Sequence, residues 1–264
     1  MAVTRHVFCS CRVAPQLLPR GHQRPSQHHG RRFSRARIYH MSVHMTRIFS
    51  TMAVLALVTA CANPERQKVE KLEAGNALAA QKKYSEAIIE YRNAVKVDPK
   101  YGEARLQLAK AYEETKDIAR ASKEYVKAAD LMPDNADAQL SAARMLVISG
   151  RFDEAKERAE RVLAKDPKSA QANMVLGSAL VGLKDIDGAI KQVEDAVALD
   201  PQEGGSLTTL GMLQLAKGDV ARAETAFTEA VRSNPQSVDA RVSLATFHWT
   251  QNRLPDAERE MKAA

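Results

Sequence analysis

Residues 102–135 read GEARLQLAKAYEETKDIARASKEYVKAADLMPDN, and the fold follows from how often that stretch recurs. Its Pro133 is one of five prolines spaced 34 residues apart: Pro99, Pro133, Pro167, Pro201 and Pro235. Its Ala121, twelve residues before the proline, belongs to the series Ala87, Ala121, Ala155, Ala189, Ala223 and Ala257. A fixed period of this length is the mark of stacked helical hairpins. Numbered from Lys68, five full copies occupy 68–101, 102–135, 136–169, 170–203 and 204–237, and a sixth, 238–264, stops inside the pattern.

Within each copy, position 8 is always small (Gly75, Ala109, Ala143, Gly177, Gly211, Ala245). Positions 4, 7, 8 and 11 share one stripe of a helix with 3.6 residues per turn, and positions 17, 20, 24 and 27 share the stripe of a second. Small residues at 8 and 20 let the two backbones approach; a larger side chain there would overpack the contact. Turn formers break the hairpin at Ser149-Gly150, Lys217-Gly218 and Gln251-Asn252. Proline at position 32 ends the second helix, preceded by Asp98, Asp166, Asp200 or Asn234, residues suited to turns.

This pattern resembles the tetratricopeptide repeat across 68–264. The resemblance implies an all-α, right-handed α-solenoid of helix–turn–helix hairpins. One departure is position 4, where the family often places tryptophan and this chain has Lys71, Arg105, Gln139, Asn173, Leu207 and Arg241. The resemblance also implies that positions 2, 5, 9 and 12 of the first helices face a groove for protein or peptide partners. The candidate groove residues are Leu72 and Asn76, Leu106 and Lys110, Leu140 and Arg144, Met174 and Ser178. The leucines either line that groove or pack against neighbouring hairpins. Relatives that clamp a C-terminal carboxylate want lysine where these leucines stand, so that specificity is not expected.

The formal charge of +7 misleads. Residues 1–44 hold eight arginines and no acid, whereas 61–264 hold 30 basic and 32 acidic residues. The array is thus nearly neutral and offers no electrostatic footprint for nucleic acid. The only cysteines, Cys9, Cys11 and Cys61, lie outside the repeats, so the array has no disulfide framework and no zinc spacing. No nucleophile–base pair, phosphate loop or dinucleotide turn occurs after Cys61. His248, at position 11, reads as a partly buried packing residue, and Glu154/Arg158 and Glu157/Arg161 read as surface pairs one helical turn apart. The expectation is a chain that is not an enzyme and needs no cofactor, metal or small-molecule substrate.

Residues 1–44 lack periodicity and read as an extension upstream of a natural start at Met41 or Met45, with a mitochondrial transit peptide as the alternative. Residues 45–60 suit a signal peptide: Arg47, then an apolar run from Ile48 to Ala60 that is too short to span a bilayer. Val58-Thr59-Ala60-Cys61 resembles a bacterial lipobox, which implies acylation of Cys61, a membrane anchor, and, with Ala62 following, the outer membrane facing the periplasm; an ordinary cleaved signal would leave the protein periplasmic or secreted. Residues 61–67 would be the lipidated cysteine and its tether. The whole resembles bacterial tetratricopeptide lipoproteins of the exopolysaccharide and PEP-CTERM export type, with pilus-biogenesis and outer-membrane-assembly lipoproteins a second group. An interaction region of a longer protein carrying a catalytic domain is the competing reading. The missing polar end-cap implies either a longer chain or a partner covering Phe247, Trp249 and Met261.

Overall fold

Seven of the twelve described helices start where a short polar side chain satisfies one of the first backbone donors. The computed structural model describes residues 63–264, and among these it holds twelve helices and no strand. They are α1 (Pro64–Ala80), α2 (Tyr84–Val97), α3 (Gly102–Glu114), α4 (Ile118–Leu131), α5 (Ala136–Ile148), α6 (Phe152–Leu163), α7 (Ala170–Gly182), α8 (Ile186–Leu199), α9 (Gly204–Lys217), α10 (Val220–Ser233), α11 (Val238–Thr250) and α12 (Leu254–Ala263). Odd-numbered helices open the six hairpins and even-numbered helices close them. Asn63, Asn135, Ser169 and Ser237 accept backbone N–H groups at the starts of α1, α5, α7 and α11. Asp117, Asp185 and Asp219 do the same for α4, α8 and α10. Each such cap contributes about 1 kcal/mol. Because Asn63 caps α1 and Pro64 sits in its first turn, residues 64–67 are helical rather than an open tether.

Position 15 adopts the left-handed conformation in all six hairpins: Lys82, Lys116, Gly150, Lys184, Gly218 and Asn252, with φ between 57° and 91°. Glycine or asparagine marks three of these turns in the sequence; lysine conceals the others. Between hairpins, the residue before four of the five repeat prolines works as a turn former, the exception being Met132. Asp98, Asp166, Asp200 and Asn234 accept from the backbone N–H two residues on, at 2.9–3.3 Å.

The position-20 alanines Ala87, Ala121, Ala155, Ala189 and Ala223 are fully buried. Opposite them, position 8 receives the position-24 ring or branch. A methyl on Gly211 would lie 2.8 Å from Phe227, and one on Gly177 would lie 2.9 Å from Val193. Position 17 belongs less to this stripe than its apolar residues suggest, since Ile118, Val220 and Leu254 remain exposed at its edge. The core is a chain of local clusters rather than one centre, as expected when each hairpin packs on its neighbours. Phe247 belongs to one of these clusters and is buried, so of the three residues expected to need a cover only Trp249 and Met261 are exposed.

In four of the six hairpins position 4, which lacks the tryptophan, pairs with position 23. Lys71 meets Glu90 at 3.1 Å, Arg105 meets Glu124 at 2.5 Å, and Arg241 meets Glu260 at 3.1 Å. In the third hairpin the polarity is reversed: buried Gln139 accepts from Arg158 at 3.2 Å. In the fifth the same two places are apolar and buried, Leu207 and Ala226. Arg158 therefore does not pair with Glu154. It turns inward to Gln139 and Asp130 (2.6 Å), and Glu154 pairs with Arg151. Arg161, expected to pair with Glu157, lies 3.4 Å from Gln139 Oε1.

Candidate functional site

First helices touch their counterparts two elements on, α1 with α3, α5 with α7 and α9 with α11, whereas no two second helices do so to a comparable extent. The first helices therefore form the inner face of the array. Three of the predicted groove leucines are closed to any partner: Leu72, Leu106 and Leu140 are 4%, 5% and 3% exposed. Their position points between neighbouring hairpins, and an aliphatic side chain buries itself there. Packing, not lining, is their role.

The position-9 row is accessible. Asn76 is exposed and accepts from the Tyr91 hydroxyl at 2.8 Å. Lys110 pairs with Asp137 at 2.7 Å, both half exposed, an arrangement that contributes little to stability. Arg144 is exposed; its guanidinium donates to Ser141 Oγ at 3.2 Å and meets no carboxylate among the described residues. Ser178 is exposed and donates to the Met174 carbonyl at 2.9 Å. Arg144, Met174 and Ser178 converge on a crevice of about 420 Å³, completed by Val147, Ile148 and Glu203.

Ile148, in its wall, is 68% exposed, and Val181 and Met212 are exposed as well; positions 12 and 9, which Val181 and Met212 hold, were expected to face the groove, whereas Ile148 was not anticipated. Ile148 occupies position 13, outside the core stripe of 4, 7, 8 and 11; a large apolar residue there was the available signal. The inner face is graded. Toward α1 it carries Asn76, Lys110–Asp137 and Glu113, whose carboxylate accepts from Tyr125 at 2.5 Å. Toward α9 it turns apolar, with Arg144 at the boundary.

His248 sits inside, as a packing residue 6% exposed with its ring 5.7 Å from Phe247. Burial, and then the Arg253 cation, hold its pKa below the ordinary histidine value. Its Nδ1 has no hydrogen-bond partner among the described residues. Burial and the Glu113 contact push the Tyr125 hydroxyl well above the usual tyrosine range. No three potential metal ligands gather among the described residues, and no described helix is long and apolar enough to cross a membrane. Cys61 lies outside the described residues.

Models of the tetratricopeptide repeat match residues 75–116, 102–135, 140–204 and 208–264. No curated protein sequence matches significantly. Many solved structures share the fold. PilW, a widely conserved type IV pilus biogenesis factor, is 19% identical with a TM-score of 0.64, over 73% of this chain and 90% of that one. PilF of Pseudomonas aeruginosa is 16% identical with a TM-score of 0.59, over 75% and 90%. MamA of Desulfovibrio magneticus is 22% identical with a TM-score of 0.59, over 65% and 97%. At these identities the likeness shows the fold alone. With its 34-residue period, its small position 8 and its buried position-20 alanines now matched by these repeat models, the chain belongs to the tetratricopeptide-repeat proteins.

Proposed function

We propose that this protein is a non-enzymatic scaffold of the bacterial envelope, held to the outer membrane by acylated Cys61 and docking protein partners on its first-helix face. A repeat array of this kind suits protein–protein interaction, because stacked hairpins offer a long continuous surface. The observation that carries the docking site is the crevice at Arg144, Met174 and Ser178 with exposed Ile148 in its wall. Such a surface fits a peptide or helix with an apolar face and an acidic residue set against Arg144. The anchor rests on the lipobox-like Val58-Thr59-Ala60-Cys61, only three residues before α1 begins. Export of exopolysaccharide or assembly of an envelope structure is the process such a tethered scaffold would serve.

A photo-crosslinker placed at Ile148 tests the docking face directly. Adducts with a specific envelope protein, lost when Arg144→Glu is added, are expected; adducts that persist unchanged would refute the site. Cys61→Ala is expected to move the protein out of the membrane fraction, and continued sedimentation with membranes would refute the anchor.

A further inference from the structure

The opposite side of the array carries a second crevice, between the second helices α2 and α4 with α3 as its floor, of about 660 Å³. Leu108 and Tyr112 form the floor and are buried, while Ile89 at the mouth is 57% exposed. None of its lining comes from positions 2, 5, 9 or 12, so it is separate from the inner face.

Four cations border it around a single carboxylate. Glu124 is already engaged, by Arg105 at 2.5 Å and Lys127 at 3.2 Å. Arg92 and Lys96 are left over: both are exposed, four residues apart on one face of α2, and neither meets a carboxylate among the described residues. The next joint shows what is different here. There the residue equivalent to Lys96 is Asp130, and it is bridged by Arg158 from the following hairpin at 2.6 Å. With lysine in that place, no such bridge forms and the positive charge stays open to an incoming group. This surplus is local, since residues 61–264 are slightly acidic as a whole.

We propose that this crevice docks an acidic peptide segment of a partner protein, bearing one apolar anchor side chain. The anchor enters against Ile89, Leu108 and Tyr112, and flanking carboxylates meet Arg92 and Lys96. A guanidinium takes a carboxylate through two parallel hydrogen bonds, and lysine adds a point charge. A crevice of this size accommodates a side chain with its neighbouring backbone. Because the two crevices lie on opposite sides, one scaffold can hold two partners at once. The assignment is independent of the lipid anchor and of the inner-face site.

The test uses a short fluorescein-labelled peptide, glutamates around a central phenylalanine, titrated with the protein and read by fluorescence anisotropy. Saturable binding is expected, weakening with added salt as exposed charges are screened. It should fall at least tenfold in the R92E/K96E variant, fall less in R92Q/K96Q, disappear when glutamines replace the peptide's glutamates, and stay unchanged in Arg144→Glu. Both side chains are exposed, and circular dichroism checks that the variants keep their helices. Absence of saturable binding, or equal binding by wild type and R92E/K96E, overturns the proposal. So does a preference for phosphatidylglycerol vesicles that depends on Arg92 and Lys96 without peptide binding, which would assign the crevice to a membrane surface.

Discussion

Replacing Gly75 with alanine tests how the hairpins close. A methyl at Gly75 would lie 2.5 Å from Tyr91 Cδ1, well inside carbon–carbon contact, and Tyr91 is 1% exposed. The second hairpin nevertheless holds alanine and tyrosine at the same two places, Ala109 and Tyr125. The difference is where the hydroxyls go. Tyr91 reaches Asn76 at position 9, whereas Tyr125 reaches Glu113 at position 12. In Gly75→Ala the Tyr91 ring must swing toward position 12, where Ala79 offers no acceptor. Overpacking of about 1–3 kcal/mol and a lost hydrogen bond of about 1 kcal/mol oppose a helix-propensity gain of about 1 kcal/mol. The net expectation is a loss of about 1–3 kcal/mol. Urea unfolding by circular dichroism, with amide exchange in α1 and α2, measures it. Adding Ala79→Glu, which copies the second hairpin, should restore at least half. A Gly75→Ala protein as stable as wild type, or no recovery in the double variant, refutes this account of closure.

Three further outcomes follow from the same packing. Arg105→Ala should cost about 2 kcal/mol, because it removes a partly buried pair with Glu124 and two bonds to the Pro99 carbonyl; the double change R105L/E124A, which copies Leu207 and Ala226 of the fifth hairpin, should recover most of it in a denaturant titration. Lys116→Gly should stabilise the protein by about 0.5–1 kcal/mol, since lysine there holds a φ of 63°, and a lower melting temperature would contradict this. His248, with its folded pKa depressed by burial, contributes stability that is present above pH 6.5 and is lost as pH falls through its lower folded value; His248→Leu, copying Leu78, Leu146 and Leu180 at position 11, should flatten that slope and raise stability by about 1 kcal/mol in melts between pH 5 and 7.

Much of the fold is legible in the chain because its signals are local and repeated. Pro133 and its counterparts stop helices through their own geometry, and Ala121 and its counterparts are small wherever two backbones meet. The turns at Lys82, Lys116 and Lys184 are hidden because lysine carries no sign of a left-handed backbone. The inner-face residues were only half legible. The family resemblance put Leu72, Leu106 and Leu140 in one groove with Asn76, Lys110 and Arg144, and nothing in the repeat spacing says which row is covered by the next hairpin.

The sequence by itself determined the period, the helices and their order, since each depends on neighbours within a few turns. The tertiary structure decided which side chains remain open and which charges are spent. Arg105 and Arg158 are absorbed at position 4–23 contacts between helices, while Arg92, Lys96 and Arg144 are not. That division depends on pairs 19 to 28 residues apart, which meet only when one hairpin closes and the next stacks on it.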